Sequence, residues 1–162
     1  MKLFRLFIRN MFAWFTIQMT ISYLMMKLPV SYFVRMSPLF RSFKWEQQGE
    51  VWHKLFSVKS WKAHLPDSSI IFSASYNHRE IGNTATKTLQ SFNGETNRAE
   101  LTHWLSLLLF PLFYLWNPKW AARINVLYAL LSNLPFIIIQ RYNRPKVQRL
   151  LAKRKGRGYD TT

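Results

Sequence analysis

The sequence of 162 residues contains no cysteine, which excludes disulfide bonds, thiolate nucleophiles and cysteine-ligated zinc sites. Acidic residues are scarce as well: only 7 Asp and Glu stand against 23 Lys and Arg, and the formal net charge is +16. In a soluble protein such a charge indicates nucleic acid binding, whereas in a membrane protein it indicates anionic lipid headgroups. The placement of the charges along the chain decides between these partners.

Three stretches of the chain contain no charged residue. These runs are 17, 18 and 17 residues long and cover residues 10–26, 101–118 and 124–140. Each approaches the length of a bilayer-spanning helix, for which about 17 apolar residues is the lower end. Tryptophan and basic residues flank the runs, as is typical of side chains that extend to the membrane interfaces. We therefore favour anionic membrane lipids as partners and no nucleic acid. The alternative is a soluble core of three buried helices, which so small a chain has little polar surface to cover.

The predicted fold class is an all-α integral membrane protein with about three short transmembrane helices. Residues 1–28 are an N-terminal anchor, with a signal peptide as the alternative reading; no small-residue cleavage pattern follows the apolar stretch. Residues 98–145 hold the last two helices, which only a short polar stretch separates, so we expect an antiparallel hairpin. Residues 146–162 form a basic tail.

Residues 29–97 are predicted to form an interfacial, amphipathic helical region between the first and second transmembrane helices. Apolar residues recur at helical spacing from Leu39 to Phe56, with charged residues between them. Gly49 is expected to break this stretch into two pieces, because an interior glycine costs a helix about 1 kcal/mol against alanine.

Helix ends are predicted from capping residues. A short helix should run from Asn83 to Phe92 and end at Asn93-Gly94, since glycine tolerates the left-handed conformation of a helix end. Asn97 should then cap a new helix with Glu100 as its third residue, the spacing of a capping box. Pro145 is expected to stop or bend the last helix.

Glu100 and His103 are the candidate catalytic pair. Residues three apart on a helix share a face, and both lie where the second uncharged run begins, which places them at the headgroup layer. A carboxylate can orient an imidazole, and an oriented imidazole can take a proton from a hydroxyl nucleophile. The alternatives are a glutamate that only caps the helix and a buried histidine with satisfied hydrogen bonds.

Other catalytic motifs are absent from the sequence. It has no Gly-x-Ser-x-Gly elbow and no glycine-rich phosphate loop, which argues against a serine hydrolase and against nucleotide hydrolysis. The His-x4-Asp arrangement of glycerolipid acyltransferases does not occur either. The 4 histidines show no second pair with ligand spacing, so we predict no metal and no other cofactor.

Two further polar clusters are candidates for substrate binding. Residues 52–62, followed by Asp67, combine aromatic side chains with three lysines, and residues 140–145 follow directly on the third uncharged run. Guanidinium groups offer planar forks to phosphate, so these clusters could hold an acyl donor or a sugar. Interfacial anchoring is the alternative for each cation. The candidate substrate-binding residues are Trp61, Lys62, Arg98, Arg141, Asn143 and Arg144.

At these clusters the sequence resembles the glycosyl-4,4'-diaponeurosporenoate acyltransferases, small membrane proteins of staphyloxanthin-type carotenoid biosynthesis in Gram-positive bacteria. The resemblance extends from about Phe43 to Leu151. Its most specific parts are Trp52 to Lys62 with Asp67, Arg98-Ala99-Glu100-Leu101 with His103-Trp104, Asn133, Pro135, and Gln140-Arg141-Tyr142-Asn143-Arg144-Pro145. The resemblance implies a multi-pass enzyme of the bacterial cell membrane that transfers a fatty acyl group to a sugar hydroxyl of a glycosylated carotenoid.

We hypothesise that His103, oriented by Glu100, deprotonates the sugar hydroxyl, which then attacks the acyl carbonyl. Asp67 is a second candidate for orienting the imidazole. Arg98, Arg141 or Arg144 would stabilise the oxyanion or the phosphates of the donor. The donor is left open among acyl-CoA, acyl carrier protein and phospholipid. The alternatives are another glycolipid acceptor, and a non-catalytic scaffold that binds anionic lipid.

Overall fold

The computed structural model describes residues 2–62 and 83–156, and within these ranges the chain is helical without a β-strand. The all-α prediction is therefore confirmed for the described residues. The α-helices are α1 (Lys2–Lys27), α2 (Val30–Arg35), α3 (Glu50–Phe56), α4 (Val58–Trp61), α5 (Asn83–Leu108) and α6 (Lys119–Lys155). Two 3-10 helices cover Lys44–Gly49 and Phe110–Tyr114.

The chain divides into two compact units. The first unit consists of Met1–Leu28 and Glu100–Ile137, and the second of Pro29–Ala99 and Ile138–Thr162.

The core of the first unit is built around Trp14 of α1. Its ring stacks on Phe113 with 4.5 Å between centroids, and its Nε1 donates a hydrogen bond of 2.8 Å to Oδ1 of Asn125. Leu107, Ala129 and Ile137 complete the buried cluster. Offset aromatic stacking adds about 0.5–1.5 kcal/mol to the burial of such rings, so this contact ties α1 to the 3-10 helix Phe110–Tyr114.

The outer side chains of the first unit are strongly apolar. Phe4, Phe12, Leu115 and Leu131 each expose 67–78% of their surface. Within the described ranges one helix, Lys119–Lys153, is long and apolar enough to cross a membrane. The predicted number of spans and the hairpin stay predictions.

The second uncharged run does not form one continuous helix. α5 ends at Leu108, and the 3-10 helix that follows has Pro111 at its start. Proline has no amide hydrogen and disfavours the α conformation of the residue before it. The expectation of a single helix over residues 101–118 is therefore wrong.

The predicted helix end at Asn93-Gly94 is also wrong, because α5 runs through it without a break. A Cβ at Gly94 would lie 2.8 Å from Cγ2 of Val34 and 2.9 Å from Cγ1 of Val30. The glycine thus permits α5 to pack closely on α2. Asn97 does not cap a helix either; its Nδ2 donates to the carbonyl of Phe33 and to Oγ of Ser37, both at 3.1 Å.

The predicted break at Gly49 is confirmed. Gly49 has a φ of 95° and lies between the 3-10 helix Lys44–Gly49 and α3, where a Cβ would meet the carbonyl oxygen of Tyr142 at 2.7 Å. The helical spacing from Leu39 to Phe43 was misleading, because residues 36–40 form turns and 41–43 have no regular structure.

Pro145 does not stop the last helix, since α6 continues to Lys155. A proline inside a helix removes one backbone hydrogen bond, and the residues around it, Tyr142, Asn143, Arg144 and Val147, are all buried. Packing of this segment therefore outweighs the cost of a proline inside the helix. As a result, the beginning of the predicted basic tail is helical.

Candidate functional site

The imidazole of His103 is held in the first unit by an amide and an aromatic ring. Its Nδ1 lies 3.1 Å from Oδ1 of Asn133, and its ring stacks on Phe136 with 4.6 Å between centroids and 4° between planes. Asn133 and Phe136 are three residues apart and share a face of α6. One face of α6 therefore fixes both the position and the tilt of the imidazole, which is half-buried.

The contact with Asn133 also sets the tautomer of His103. Nδ2 of Asn133 donates to the carbonyl of Ala129 at 2.9 Å and to Oγ of Ser132 at 3.1 Å, so its Oδ1 faces the imidazole. An amide oxygen only accepts hydrogen bonds, so Nδ1 of His103 must carry the hydrogen. The lone pair is then on Nε2, the nitrogen that can take a proton from a substrate.

Glu100 is buried but does not orient His103. Its Oε1 accepts a hydrogen bond of 3.3 Å from Nε1 of Trp104, and 3% of the residue is exposed. No hydrogen bond or ion pair joins Glu100 to His103 in the described structure, so the expected orienting contact is replaced by that of Asn133. The two residues lie in the same unit on α5, as the sequence spacing predicts.

The role of Asn133 was not predicted from its sequence position. The available signal was an amide in the middle of the uncharged run 124–140, because a polar side chain among apolar ones must find a partner. Asn125, eight residues earlier in the same run, also has a hydrogen-bond partner, since its Oδ1 accepts from Nε1 of Trp14.

A groove of about 520 Å³ lies beside Trp14 and Asn125 in the first unit. Its walls are mostly aromatic and aliphatic, and Asn10 and Gln18 provide polar groups. Asn125, which lines this groove, and Asn133, which contacts His103, are separated by about 12 Å along α6. The groove has the size and apolar character of a small-molecule site.

In the second unit, Arg141 and Glu46 form a buried ion pair. Nε of Arg141 donates to Oε1 of Glu46 at 2.8 Å, and Nε1 of Trp52 donates to the same oxygen at 2.9 Å. Oε2 of Glu46 accepts the backbone N–H of Phe43 at 2.7 Å. Glu46 is fully buried. Three donors satisfy this carboxylate, which makes it a structural hub that the sequence patterns did not identify; the available signal was a glutamate at the third position of a helix, from which its side chain can accept the backbone N–H of the N-cap residue.

Lys62 and Asn143, two predicted substrate-binding residues, lie together in the second unit. Nζ of Lys62 is 3.5 Å from Oδ1 of Asn143 and 5.2 Å from the centroid of the Tyr142 ring. Lys146 lies over the same ring at 3.8 Å. Trp61 instead bonds locally, with Nε1 donating to the carbonyl of Phe56 at 2.6 Å.

Three further residues were predicted for the site: Arg98, Arg144 and Asp67. Arg98 forms an ion pair with Glu95, one turn earlier on α5. Arg144 is fully buried, with its guanidinium 5.4 Å from the centroid of Phe40. Asp67 lies outside the described residues.

His53 is a second half-buried histidine, and it belongs to the second unit. Its Nδ1 is buried and has no hydrogen-bond partner among the described residues, and its ring centroid is 6.3 Å from that of Tyr142. Unlike His103, it has no amide among the described residues that fixes its tautomer. No group of three His, Asp or Glu side chains in the described ranges is arranged to bind a metal ion.

Comparison with known proteins shows similarity to one family over most of the chain. The family model described as glycosyl-4,4'-diaponeurosporenoate acyltransferase matches residues 36–153. A protein of that name from Staphylococcus aureus (strain Newman) is 36% identical over 166 residues, covering 99% of this chain and 100% of the relative. Another, from Staphylococcus haemolyticus (strain JCSC1435), is 36% identical over 135 residues, covering 83% of this chain and 78% of the relative. No solved structure matches the chain significantly.

Proposed function

This chain belongs to the glycosyl-4,4'-diaponeurosporenoate acyltransferase family and is an acyltransferase, and we propose that it esterifies a sugar hydroxyl of a glycosylated carotenoid with a fatty acyl group. The observation that carries the proposal is the full-length similarity to proteins of that name, at 36% identity over 99% of this chain. The oriented imidazole of His103 supplies a mechanism for it.

In this mechanism, Nε2 of His103 takes the proton of the sugar hydroxyl while the hydroxyl oxygen attacks the acyl carbonyl carbon. The tetrahedral intermediate collapses by breaking the bond between the acyl carbon and the leaving group of the donor. The imidazolium returns its proton to that leaving group, so the histidine is neutral at the start and at the end. Asn133 keeps the Nδ1 hydrogen in place, and a positioned base of this kind contributes typically 10²–10⁴-fold to the rate.

Arg141 and Arg144 support the fold of the second unit in this proposal. Arg141 is ion-paired with a fully buried carboxylate, and Arg144 is fully buried itself. Lys62, Asn143 and the partly exposed Arg98 remain the candidates for contacts with the sugar or the donor.

We also propose that the first unit lies in the cell membrane of a bacterium as a multi-pass segment, with α1 and the start of α6 in the bilayer and with the part of the predicted 98–145 hairpin that belongs to this unit, residues 100–137. The exposed apolar side chains of Phe4, Phe12, Leu115 and Leu131 support this placement. The groove beside Trp14 would hold the acyl or polyene chain. Cations of the second unit would contact anionic lipid headgroups.

The test is ester formation by the purified protein in lipid nanodiscs. The acceptor is a glycosylated carotenoid acid, and acyl-CoA, acyl carrier protein and phospholipid are offered separately as donors. We expect a mass corresponding to the esterified pigment with at least one donor. A glycolipid without the polyene serves as the matched acceptor. If only that glycolipid is esterified, the acceptor is a glycolipid and not the carotenoid. If no ester forms with any donor, the proposal is contradicted.

A further inference from the structure

A groove in the second unit, separate from the Lys62 and Tyr142 cluster, carries features of a ligand site. It lies between residues 41–48 and the segment of α6 from Pro145 to Ala152, and its volume is about 920 Å³. Pockets for cofactor-sized molecules commonly have about 300–1,000 Å³. The groove is therefore large enough for a nucleotide.

The charge of this groove is entirely positive. Arg41, Lys44 and Arg149 line it and are exposed, and none of its described lining residues is acidic. No carboxylate in the described ranges forms an ion pair with these three side chains. Three cations that face one cleft raise the local concentration of an anionic ligand. This differs from Arg141, whose charge is already paired with Glu46.

The backbone that forms one wall of the groove is strained. Gln47 and Gln48 have φ values of 46° and 62°, a left-handed conformation that side chains with a Cβ rarely adopt. The hub at Glu46 and the close contact of Gly49 with Tyr142 hold this strain in place. Strained residues held by their surroundings cluster at ligand sites. Here both glutamine side chains are exposed at the groove, where their amides can donate and accept hydrogen bonds.

Phe43 adds an aromatic surface to the same groove. The residue is 57% exposed; its ring is stacked with Trp45 at 6.2 Å, with 12° between the planes, and the guanidinium of Arg141 lies 5.0 Å from its centroid. Aromatic side chains of this kind bind the flat face of a nucleobase by stacking. A phospholipid headgroup would bind to the cations, but it has no aromatic ring to stack on Phe43 and no base edge to form hydrogen bonds with the glutamine amides.

We propose that this groove binds the base and phosphates of a nucleotide, and specifically the nucleotide part of a coenzyme A thioester that donates the acyl group. The cations Arg41, Lys44 and Arg149 would contact the phosphates, and Phe43 would stack on the base. The assignment of the ligand as the donor rests on the proposed function, and it deepens that function by selecting one donor class. Binding itself can be measured without any ester being formed.

The experiment compares the detergent-solubilised full chain with two double variants. Lys44→Gln/Arg149→Gln removes one lysine and one arginine from the groove. Arg35→Gln/Lys87→Gln removes one of each from exposed positions of α2 and α5 that do not line it. Calorimetric titration with coenzyme A, adenosine and a short-chain phosphatidylglycerol gives three affinities for each protein. Thermal unfolding of each variant shows that it is folded.

We expect coenzyme A to bind the unmodified chain and the Arg35→Gln/Lys87→Gln control equally. Lys44→Gln/Arg149→Gln should bind at least about tenfold more weakly, since a single hydrogen bond between charged groups is worth roughly that factor. Adenosine should bind more weakly than coenzyme A and should not distinguish the variants. Competition by pyrophosphate on the unmodified chain tests the phosphate contacts without any substitution.

Three results would overturn the inference: no binding of coenzyme A, equal losses in both double variants, or a loss confined to phosphatidylglycerol. The last would assign the groove to lipid headgroups. Ester formed from phospholipid without coenzyme A binding would leave the proposed function intact and remove only this inference. Coenzyme A binding without ester from any donor would contradict the proposed function alone.

Discussion

The two units of this chain differ in the polar pairs that they bury and in the number of cations that they carry. The first unit buries the amides Asn125 and Asn133 and exposes large apolar residues such as Phe12 and Leu131. The second unit buries the Glu46 and Arg141 ion pair and exposes cations such as Lys44 and Arg149. Seventeen of the 23 Lys and Arg residues belong to the second unit, so positive charge is concentrated there. The surplus of cations sets the second unit apart from the first.

The largest effect on folding is expected for Glu46→Gln in the second unit. The substitution keeps the shape but leaves the nearly buried guanidinium of Arg141 without its counterion. Removing one partner of a buried ion pair typically costs 3–5 kcal/mol, so we expect a loss of about 3 kcal/mol in the free energy of unfolding. Denaturant unfolding in detergent measures it. The control is Glu50→Gln at an exposed position, and equal effects of both variants would show that the hub is not structural.

Asn133→Ala tests whether the buried amide of the first unit has a catalytic purpose. The imidazole of His103 would lose the acceptor that fixes its tautomer, and we expect kcat to fall on the order of 10²-fold with KM nearly unchanged, as for a misplaced catalytic group. A purely structural amide would instead lower the midpoint of thermal unfolding and leave kcat per folded molecule intact. Asn125→Ala, which removes the other buried amide of α6, is the comparison for stability.

Gly94→Ala probes the packing of α5 on α2 within the second unit. The added Cβ would meet Val34 and Val30 at 2.8 and 2.9 Å, and these stiff β-branched side chains cannot turn away easily. Overpacking of this kind typically costs 1–3 kcal/mol in the free energy of unfolding. Combination with Val34→Ala should recover part of the loss. A more stable single variant would mean that the glycine only weakens the helix.

A smaller effect is expected for Trp14→Phe in the first unit. The ring is kept for stacking on Phe113, but the hydrogen bond to Asn125 is lost and the amide oxygen is left buried. We expect a loss of about 1–2 kcal/mol in the free energy of unfolding. The double variant with Asn125→Leu should recover stability. Additive losses in the two single variants and the double variant would contradict the coupling of these side chains.

The sequence was sufficient for features that depend on composition and local conformation. The uncharged runs predicted a helical protein, and Gly49 marked a break that its φ of 95° confirms. Gly94 carries the same signal for a helix end but lies inside α5, because its small size serves a contact with α2. Contacts of this kind depend on residues distant in the chain, which local rules do not include.

In the candidate site, too, contacts between residues distant in the chain could not be predicted from local patterns. His103 was identifiable as a histidine at the start of an apolar run, but its neighbour on the helix face, Glu100, was chosen as its partner because sequence spacing favours residues on one helix. The actual partner is Asn133, thirty residues later on α6. Glu46 was overlooked for the same reason, since Arg141 is 95 residues away. Patterns on one helix cannot reveal pairs that the tertiary fold creates.

The central claim is that His103, oriented by Asn133, is the base of acyl transfer. The most direct measurement is the rate of ester formation by His103→Gln and His53→Gln in the same nanodisc assay, with each rate divided by the amount of folded protein. We predict a loss of about 100-fold or more for His103→Gln and a nearly unchanged rate for His53→Gln. An unchanged rate for His103→Gln, or a loss confined to His53→Gln, would contradict the account.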